Sequence, residues 1–301
     1  MIGATLQTEH GSVEFAGIDT WNDLAILSAL VEGQRRSIYA VRKSLPAIAA
    51  AADAAAKRLA TGGRLIYAGA GTSIRIAIQD GSELPATFGM AEDRLVYLIA
   101  GGRAAMFETL AGAEDDAAEG GRVVDAVNCT RGDVVIAVAA SGTTPYTVAA
   151  AKRARELGAL VISIVNNPAT PLASAAEHSI FLDTGPEVIA GSTRMGAGTA
   201  QKAALNLLST LAHIKLGAVH DGMMVNVKAD NLKLKKRARG IVARITGAGE
   251  EKAAAALEAT HGDVKPAVLI CAGANSPATA RELLAATRGN LRQALARLTA
   301  S

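Results

Sequence analysis

The chain is 301 residues long, with 50% hydrophobic and 20% charged residues and a formal net charge of +3. This composition excludes a disordered chain and is large enough for one α/β domain with a smaller appendage. Aromatic residues amount to only 3%, so few rings are available to stack on bases, and no nucleic-acid partner is expected.

The amino-terminal region is predicted to be helical after a short arm. Residues 1–17 show no clear period and are predicted to form an extended arm. Thr20 and Asp23 have the spacing of a capping box, which predicts a helix start at this point. Apolar residues then recur at helical spacing, interrupted at Gly33, and Pro46 is placed to begin a second helix.

From residue 64 onward, short apolar segments alternate with helical segments. Such alternation predicts an α/β fold with a doubly wound parallel sheet, buried on both faces by flanking helices. The predicted strands cover residues 65–68, 95–100, 134–139, 161–165 and 179–182, and two long helices follow at 198–216 and 231–245. The predicted parts are an arm with helices, the α/β domain with its following helices, and a small helical domain, at residues 1–62, 63–248 and 249–301.

Three loops combine glycine with hydroxyl side chains. The first two follow predicted parallel strands, whose carboxyl ends bind ligands in open α/β sheets, and the third precedes a long helix. Backbone N–H groups at a helix start, together with small hydroxyl donors, favour a compact anion such as phosphate. The residues predicted to contact it are Gly71, Thr72, Ser73, Ser141, Gly142, Thr143, Thr144, Ser192 and Thr193. The alternative is three unrelated helix caps.

No cofactor or metal is expected. The first loop begins like a dinucleotide fingerprint, but Ile74 stands where the third glycine belongs, and no Gly-Lys-Ser/Thr follows as in a P-loop. The histidines show no metal-ligand spacing among themselves or with the cysteines. Their positions are His10, His178, His213, His220 and His261.

The cytoplasm is the expected location, and no membrane partner is expected. Cys129 and Cys271 lie far apart in a chain without a signal-peptide pattern, so a disulfide framework is not indicated. No uninterrupted apolar run reaches the roughly 18 residues that would span a bilayer.

Taken in order, the motifs resemble the N-acetylmuramic acid 6-phosphate etherase family of sugar isomerase (SIS) domain proteins. The resemblance covers about residues 18–242, and the tail sequence ARELLAATRGNLRQAL is similar to the family's small carboxyl-terminal domain. The motifs are GAGTS, SELP, GAEDD, AASGTTPY, GPEVIAGSTRM, AGTAQK and NVKADNLKLKKRA.

This resemblance implies cleavage of the D-lactyl ether at C3 of the phosphosugar, yielding N-acetylglucosamine 6-phosphate and D-lactate. The implied route is ring opening, loss of the C2 proton, elimination of lactate and addition of water at C3, without a metal. Glu83 and Glu114 match the family's acid and base positions, as the acid for lactate departure and the base for water addition respectively. Glu83 lies about three helical turns, of order 15 Å, beyond the first loop. On sequence alone, each would be an exposed carboxylate or a capping residue.

Further site residues follow with less specificity. Glu187 is a candidate for a substrate-hydroxyl contact, and Arg194 and Lys202 are candidates for the phosphate or the lactyl carboxylate, although a helix-surface role fits both cations equally. Arg75, one turn into the first helix, is placed to lean toward the anion. The family also implies a homodimer with sites near the subunit interface, which this sequence supports only through the apolar helix at 203–216.

Two residues depart from the family pattern. Ile74 stands where the family usually has glycine, and Gly196 where it usually has lysine. A branched side chain at the first loop is expected to narrow the pocket, and glycine at 196 removes a cation that would meet substrate charge.

Two rival functions remain open on the sequence. SIS domains also serve as noncatalytic phosphosugar-binding regulators, and an aldose–ketose isomerase would share the phosphate loops without the lactyl leaving group. Retention of both Glu83 and Glu114 favours the enzyme that cleaves the ether.

Overall fold

The computed structural model describes residues 6–108, 110–229 and 231–300. The described chain divides into two compact units, Met1–Gly81 with Asp93–Leu211, and Ser82–Glu92 with Ala212–Ser301. The strands are β1 (Leu65–Gly69), β2 (Leu95–Ile99), β3 (Val134–Val138), β4 (Leu160–Val165), β5 (His178–Phe181), β6 (Val219–His220) and β7 (Met223–Met224). The helices are α1 (Asp23–Lys43), α2 (Leu45–Leu59), α3 (Gly71–Phe88), α4 (Ala117–Ala126), α5 (Pro145–Glu156), α6 (Pro171–Ala175), α7 (Gly196–Lys215), α8 (Leu232–Thr246), α9 (Glu250–Ala259), α10 (Val264–Cys271), α11 (Pro277–Ala286) and α12 (Leu291–Ala300).

The first unit is built on a five-stranded parallel sheet with strand order β2-β1-β3-β4-β5. This confirms the predicted parallel α/β fold. Each predicted strand is present with ends shifted by at most one residue. From β1 the chain crosses to β2 on one side, whereas β3, β4 and β5 lie on the other side. The connections therefore change direction between β1 and β3, and this switch point is where open α/β sheets bind ligands.

Alternate residues of β1 pack on opposite faces of the sheet. Ile66 and Ala68 belong to a core with Val124 of α4 and Val148 of α5. Tyr67 points the other way, where its hydroxyl donates to Asp80 of α3 at 2.7 Å. Because both faces are covered, the strand reads as a continuous apolar run rather than an alternating one.

The amino-terminal prediction is wrong in three respects. The arm is not extended: residues 7–20 form three short 3₁₀ turns, and residues 1–5 of the predicted arm lie outside the described residues. Asn22, not Thr20, caps α1, because its side chain accepts a hydrogen bond from Ala25 N at 3.0 Å. Helix α1 continues without a break through Gly33. A Cβ at Gly33 would lie 2.7 Å from the Val188 side chain, so glycine leaves space for Val188 to pack there. The restart of the helix at Pro46 is observed.

Three helix ends also differ from the sequence expectation. Pro85 predicts that the helix after the first loop ends beside Glu83, but α3 begins at Gly71 and continues through Pro85 to Phe88, so Glu83 lies within the helix. Helix α7 begins two residues earlier than predicted, at Gly196. Helix α8 begins after Asn231, whose side chain accepts from Leu234 N at 2.9 Å.

The second unit contains the short antiparallel pair β6–β7 and the helices α8 to α12. Its core consists mainly of small and branched apolar side chains, among them Val242, Ala253, Val268 and Ala280. No helix among the described residues is both long enough and apolar enough to cross a bilayer.

Candidate functional site

The first two predicted loops lie side by side at the switch point of the sheet. Gly69, the last residue of β1, is paired with Val138, the last residue of β3. The chain therefore leaves both strands at the same edge, and the two loops that follow begin from neighbouring strand ends. This brings together the residues that the sequence predicted for phosphate binding in these two loops.

The first loop turns directly into α3. Gly71 has a φ of +53°, which favours glycine, and it opens the helix. Ser73 is buried and Thr72 is partly buried. The first N–H groups of the helix lie in this turn, the arrangement that favours an anion.

Ile74 does not narrow the pocket as expected. Its side chain is only 1% exposed, and it packs in the core close to the backbone of Gly69. It does not line the cavity next to the first loop. At this position the chain therefore differs from the family pattern in the packing of its core and not in the lining of the cavity.

The second loop is held by its own hydroxyls. Ser141 Oγ accepts from Thr143 N at 3.2 Å and lies 3.4 Å from the Thr144 hydroxyl. Gly142 has a φ of +67°, and a Cβ there would lie 2.3 Å from the Thr170 hydroxyl, so only glycine fits. Thr144 occupies the N-cap position of α5 but makes no side-chain capping hydrogen bond, so the helix start is not closed by it.

The third loop comes close to the first through the start of α7. A Cβ built on Gly198 would lie 3.7 Å from the Thr72 side chain, so the first turn of α7 passes beside the first loop. Thr193 O accepts from Gly198 N at 2.8 Å and fixes the turn. Ser192 and Thr193 are both partly buried.

Glu187 caps α7 from within this region. Its carboxylate is 4% exposed and accepts hydrogen bonds from Gly196 N and Ala197 N, both at 2.8 Å. The negative charge therefore sits at the positive end of the helix. Each carboxylate oxygen keeps a lone pair, so the substrate contact suggested for Glu187 remains a prediction.

The second departure from the family pattern, Gly196, lies directly against this carboxylate. A Cβ on Gly196 would lie 2.9 Å from Glu187 Oε2, so a side chain there requires the capping carboxylate to shift. Arg194 and Lys202 are exposed, and no hydrogen bond or ion pair joins either side chain to another residue in the described part of the chain. Their roles also remain predictions.

Gly196→Ala and Glu187→Gln should each lower the free energy of unfolding by about 1–2 kcal/mol, because both weaken two charge-assisted hydrogen bonds at a helix start. Urea unfolding measures the loss. Gly121→Ala in α4 is the matched control, since a Cβ there meets nothing within 4 Å, and it should be neutral or slightly stabilising. A Gly196→Ala protein as stable as the parent would rule out this account of the cap.

Glu114 shares a cavity with the first loop. The cavity has a volume of about 230 Å³, and Gly71, Thr72, Arg75 and Glu114 are among its lining residues. Glu114 is exposed, and its backbone oxygen accepts from Tyr146 N at 3.0 Å, which anchors it to the start of α5 just after the second loop. The structure thus places Glu114 in one cavity with the first of the predicted phosphate loops.

Arg75 contributes an incompletely bonded cation to this cavity. Its Nη2 donates to Ala105 O at 2.8 Å, while its buried Nε has no hydrogen-bond partner in the described structure.

Glu83 lies on α3, and its side chain is exposed. It falls in the second compact unit.

The sequence did not reveal a buried carboxylate on α3. Asp80 is 5% exposed and accepts from the Tyr67 hydroxyl at 2.7 Å, Asn206 Nδ2 at 2.6 Å and Ser209 Oγ at 2.9 Å. These bonds join α3 to β1 and α7. The sequence did carry one indication of this burial: Asp80 lies three positions after Ala77, on the same face of the helix, and Ala77 is buried.

A second polar network was also missed. Asn166 and Asn167 follow β4, and both are buried. Asn167 Nδ2 donates to Ala140 O at 2.9 Å, just before the second loop, and Gln201 Nε2 of α7 donates to Asn166 Oδ1 at 2.9 Å. Asn167 Oδ1 is buried without a partner among the described residues. The network therefore ties the second loop to α7.

No group of three or more His, Cys, Asp or Glu side chains is arranged for a metal ion in residues 6–108, 110–229 and 231–300. A larger cavity of about 760 Å³ lies between α1 and the segment 183–186, and it contains none of the predicted site residues.

Comparison with known proteins places these features in a family. Residues 94–211 match the SIS domain. A solved structure from Bacteroides fragilis, described as a phosphosugar isomerase involved in capsule formation, has a TM-score of 0.50 at 19% identity and covers 65% of this chain and 94% of that one. This similarity concerns the fold alone.

Full-length relatives are much more similar. The N-acetylmuramic acid 6-phosphate etherase of Deinococcus radiodurans is 45% identical over 289 residues, covering 96% of this chain and 95% of the relative. The enzyme of that name from Streptomyces coelicolor is 47% identical over 293 residues, covering 97% and 94%, and that from Serratia proteamaculans is 45% identical over 281 residues, covering 93% and 95%. The chain therefore belongs to the N-acetylmuramic acid 6-phosphate etherase family.

Proposed function

We propose that this protein cleaves the D-lactyl ether of N-acetylmuramic acid 6-phosphate to give N-acetylglucosamine 6-phosphate and D-lactate. Family membership over nearly the whole chain supports the reaction. The observation that carries it is the cavity in which Glu114 lies beside Gly71 and Thr72. One crevice then offers donors for a phosphate and a carboxylate for proton transfer.

The phosphate is proposed to bind at the first two loops, with the third loop alongside. Backbone N–H groups at the start of α3, the Thr72 and Ser73 hydroxyls and the hydroxyls of 141–144 are the donors. Ring opening then exposes an aldehyde at C1, which acidifies the C2 proton. Loss of this proton leaves an electron pair that forms the C2–C3 double bond as the C3–O bond to lactate breaks.

The two glutamates are proposed to divide the proton transfers. Glu83 protonates the ether oxygen as lactate leaves, and Glu114 removes a proton from the water that adds to C3. The proton that returns to C2 completes N-acetylglucosamine 6-phosphate. Both side chains are exposed in the single chain.

Arg75 is proposed to contribute positive charge at the same cavity, since its buried Nε has no partner in the described structure. Arg194, Lys202 and Glu187 are proposed as further substrate contacts near the third loop. Of these, Glu187 already caps α7.

Isotope labelling tests the elimination and hydration route. In ²H₂O the product should carry deuterium at C2, and in H₂¹⁸O it should carry ¹⁸O at C3. Direct hydrolysis that breaks the lactyl side of the ether would instead place ¹⁸O in lactate and leave C2 unlabelled. That outcome would exclude the proposed roles of both glutamates.

A homodimer is proposed as the working form. Helix α1 exposes an apolar stripe at helical spacing, and α7 exposes Leu207. The residues of the stripe are Leu24, Leu27, Val31 and Ile38. Covering such a stripe against a second copy would remove its apolar surface from water.

Light scattering should give about twice the chain mass of 30.6 kDa. Leu27→Lys with Val31→Lys should shift the protein toward the monomer, whereas Lys57→Gln on the exposed surface of α2 should leave the mass unchanged. A monomeric parent protein would refute the dimer.

The cytoplasm is proposed as the location of the protein, because two cysteines that lie far apart in the sequence fit a reducing compartment.

A further inference from the structure

A polar cavity in the second unit gathers basic side chains. Its volume is about 510 Å³, and its walls come from residues 225–229, the turn before α10, the first turn of α10, and α11. The basic residues that line it are Lys228, His261, Lys265 and Arg281, and Asp263 is the acidic one. Counting histidine as neutral, the lining carries three positive charges and one negative charge.

Lys265 is the unusual member of this set. Only 9% of the residue is exposed, and its Nζ donates to Gly289 O at 2.8 Å. No carboxylate lies within ion-pair distance of it in the described part of the chain. An ammonium group has three N–H donors, and the bond to Gly289 uses one of them. Burying a positive charge without a counter-ion costs free energy, so the position of Lys265 calls for an explanation. Burial accordingly lowers the pKa of Lys265 to about 8.

The neighbouring cations are also without ion pairs in the described part of the chain. Lys228 and Arg281 are exposed, and neither forms an ion pair with another described residue. Asp263 is the N-cap residue of α10, but its side chain makes no capping hydrogen bond. The first N–H groups of α10 are therefore not taken up by a side-chain cap.

We propose that this cavity is an anion site for a phosphate group, carried either by free inorganic phosphate or by a phosphate ester. A phosphate offers two negative charges and several acceptor oxygens, which suit three cations approaching from different walls. A single carboxylate would be satisfied by one arginine. All lining residues belong to the second unit, whereas the phosphate loops belong to the first.

Calorimetric titration at fixed ionic strength tests the site directly. The background is the full chain with Ser73→Ala and Ser141→Ala, which removes one hydroxyl from each of the first two loops. The probes are inorganic phosphate and N-acetylglucosamine 6-phosphate in separate titrations. Binding of inorganic phosphate that Arg281→Gln weakens would identify the free ion as a sufficient ligand, whereas such binding of the ester alone would show that the sugar is required.

Arg281→Gln and Lys265→Met should each weaken the binding of the effective probe by about tenfold, the scale of one charge-assisted hydrogen bond. Arg244→Gln is the matched control, because it removes an exposed cation of α8 that does not line the cavity. Its affinity should stay within about twofold of the background.

The proposal is overturned if neither probe binds to the background protein, or if Arg281→Gln binds as tightly as Arg244→Gln. Arg281 is exposed, so its substitution keeps the test valid even if Lys265→Met does not fold. Lactate release is not a readout here, so failure of this site and failure of the proposed reaction are distinguishable.

Discussion

Replacing Glu83 or Glu114 by glutamine should lower the rate of D-lactate release by about 100-fold or more while phosphosugar binding is retained. Glutamine keeps the size and polarity of the side chain but cannot deliver or take up a proton. Steady-state turnover with N-acetylmuramic acid 6-phosphate, together with binding of N-acetylglucosamine 6-phosphate, separates the two effects.

Two other carboxylates serve as matched controls. Glu108 is exposed and lines the same cavity as Glu114, and Glu92 is an exposed glutamate shortly after the helix that carries Glu83. Glu108→Gln and Glu92→Gln should leave turnover within a few-fold of the parent. If Glu83→Gln or Glu114→Gln behaves like its control, the role assigned to that residue is wrong.

Asp80→Asn should lower the free energy of unfolding by about 3 kcal/mol or more. The carboxylate accepts three hydrogen bonds from Tyr67, Asn206 and Ser209 in a buried setting. An amide offers one oxygen acceptor and turns an NH₂ group toward donors, so buried donors lose their partner, at about 1–3 kcal/mol each. Urea unfolding followed by circular dichroism measures the change.

Asp93→Asn is the control for charge alone, because Asp93 is exposed, and it should change stability by less than about 0.5 kcal/mol. Tyr67→Phe tests the network from its other side: combined with Asp80→Asn it should cost less than the sum of the two single changes. An Asp80→Asn protein within the range of the control would show that the three hydrogen bonds contribute little.

The sheet could be predicted from the sequence because its strands are continuous apolar runs bounded by glycine and polar turns. Val134 to Val138 is such a run, and every residue in it is buried. The sequence also predicted that the first two loops lie at the same edge of the sheet, since parallel strands end at one edge. The sequence did not predict which strands are neighbours, and the pairing of Gly69 with Val138 required the structure.

Helix ends were harder to predict because several residues compete for the same role. Thr20 and Asn22 are both favourable N-cap residues, and each stands three positions before a residue whose backbone N–H it could accept from. In the structure, Asn22 is the N-cap of α1. Thr20 instead donates to Gly17 O at 2.7 Å within a 3₁₀ turn. A local pattern cannot decide between caps when both satisfy the same spacing.

The polar networks could not be predicted because their partners are distant in the sequence. Asp80 meets Asn206 across 126 positions, and Gln201 meets Asn166 across 35. The role of Glu187 as a cap was hidden for another reason, since the intervening loop to Gly196 has no regular period. Ile74 resembled a pocket residue because it follows the first loop, yet the turn of α3 directs it into the core.

The central claim is tested most directly by incubating the purified protein with N-acetylmuramic acid 6-phosphate and measuring D-lactate. We predict stoichiometric release of D-lactate and N-acetylglucosamine 6-phosphate. Tight binding of the phosphosugar without any lactate would contradict the etherase and indicate a phosphosugar-binding regulator, and interconversion of an aldose and a ketose phosphate without lactate would indicate an isomerase.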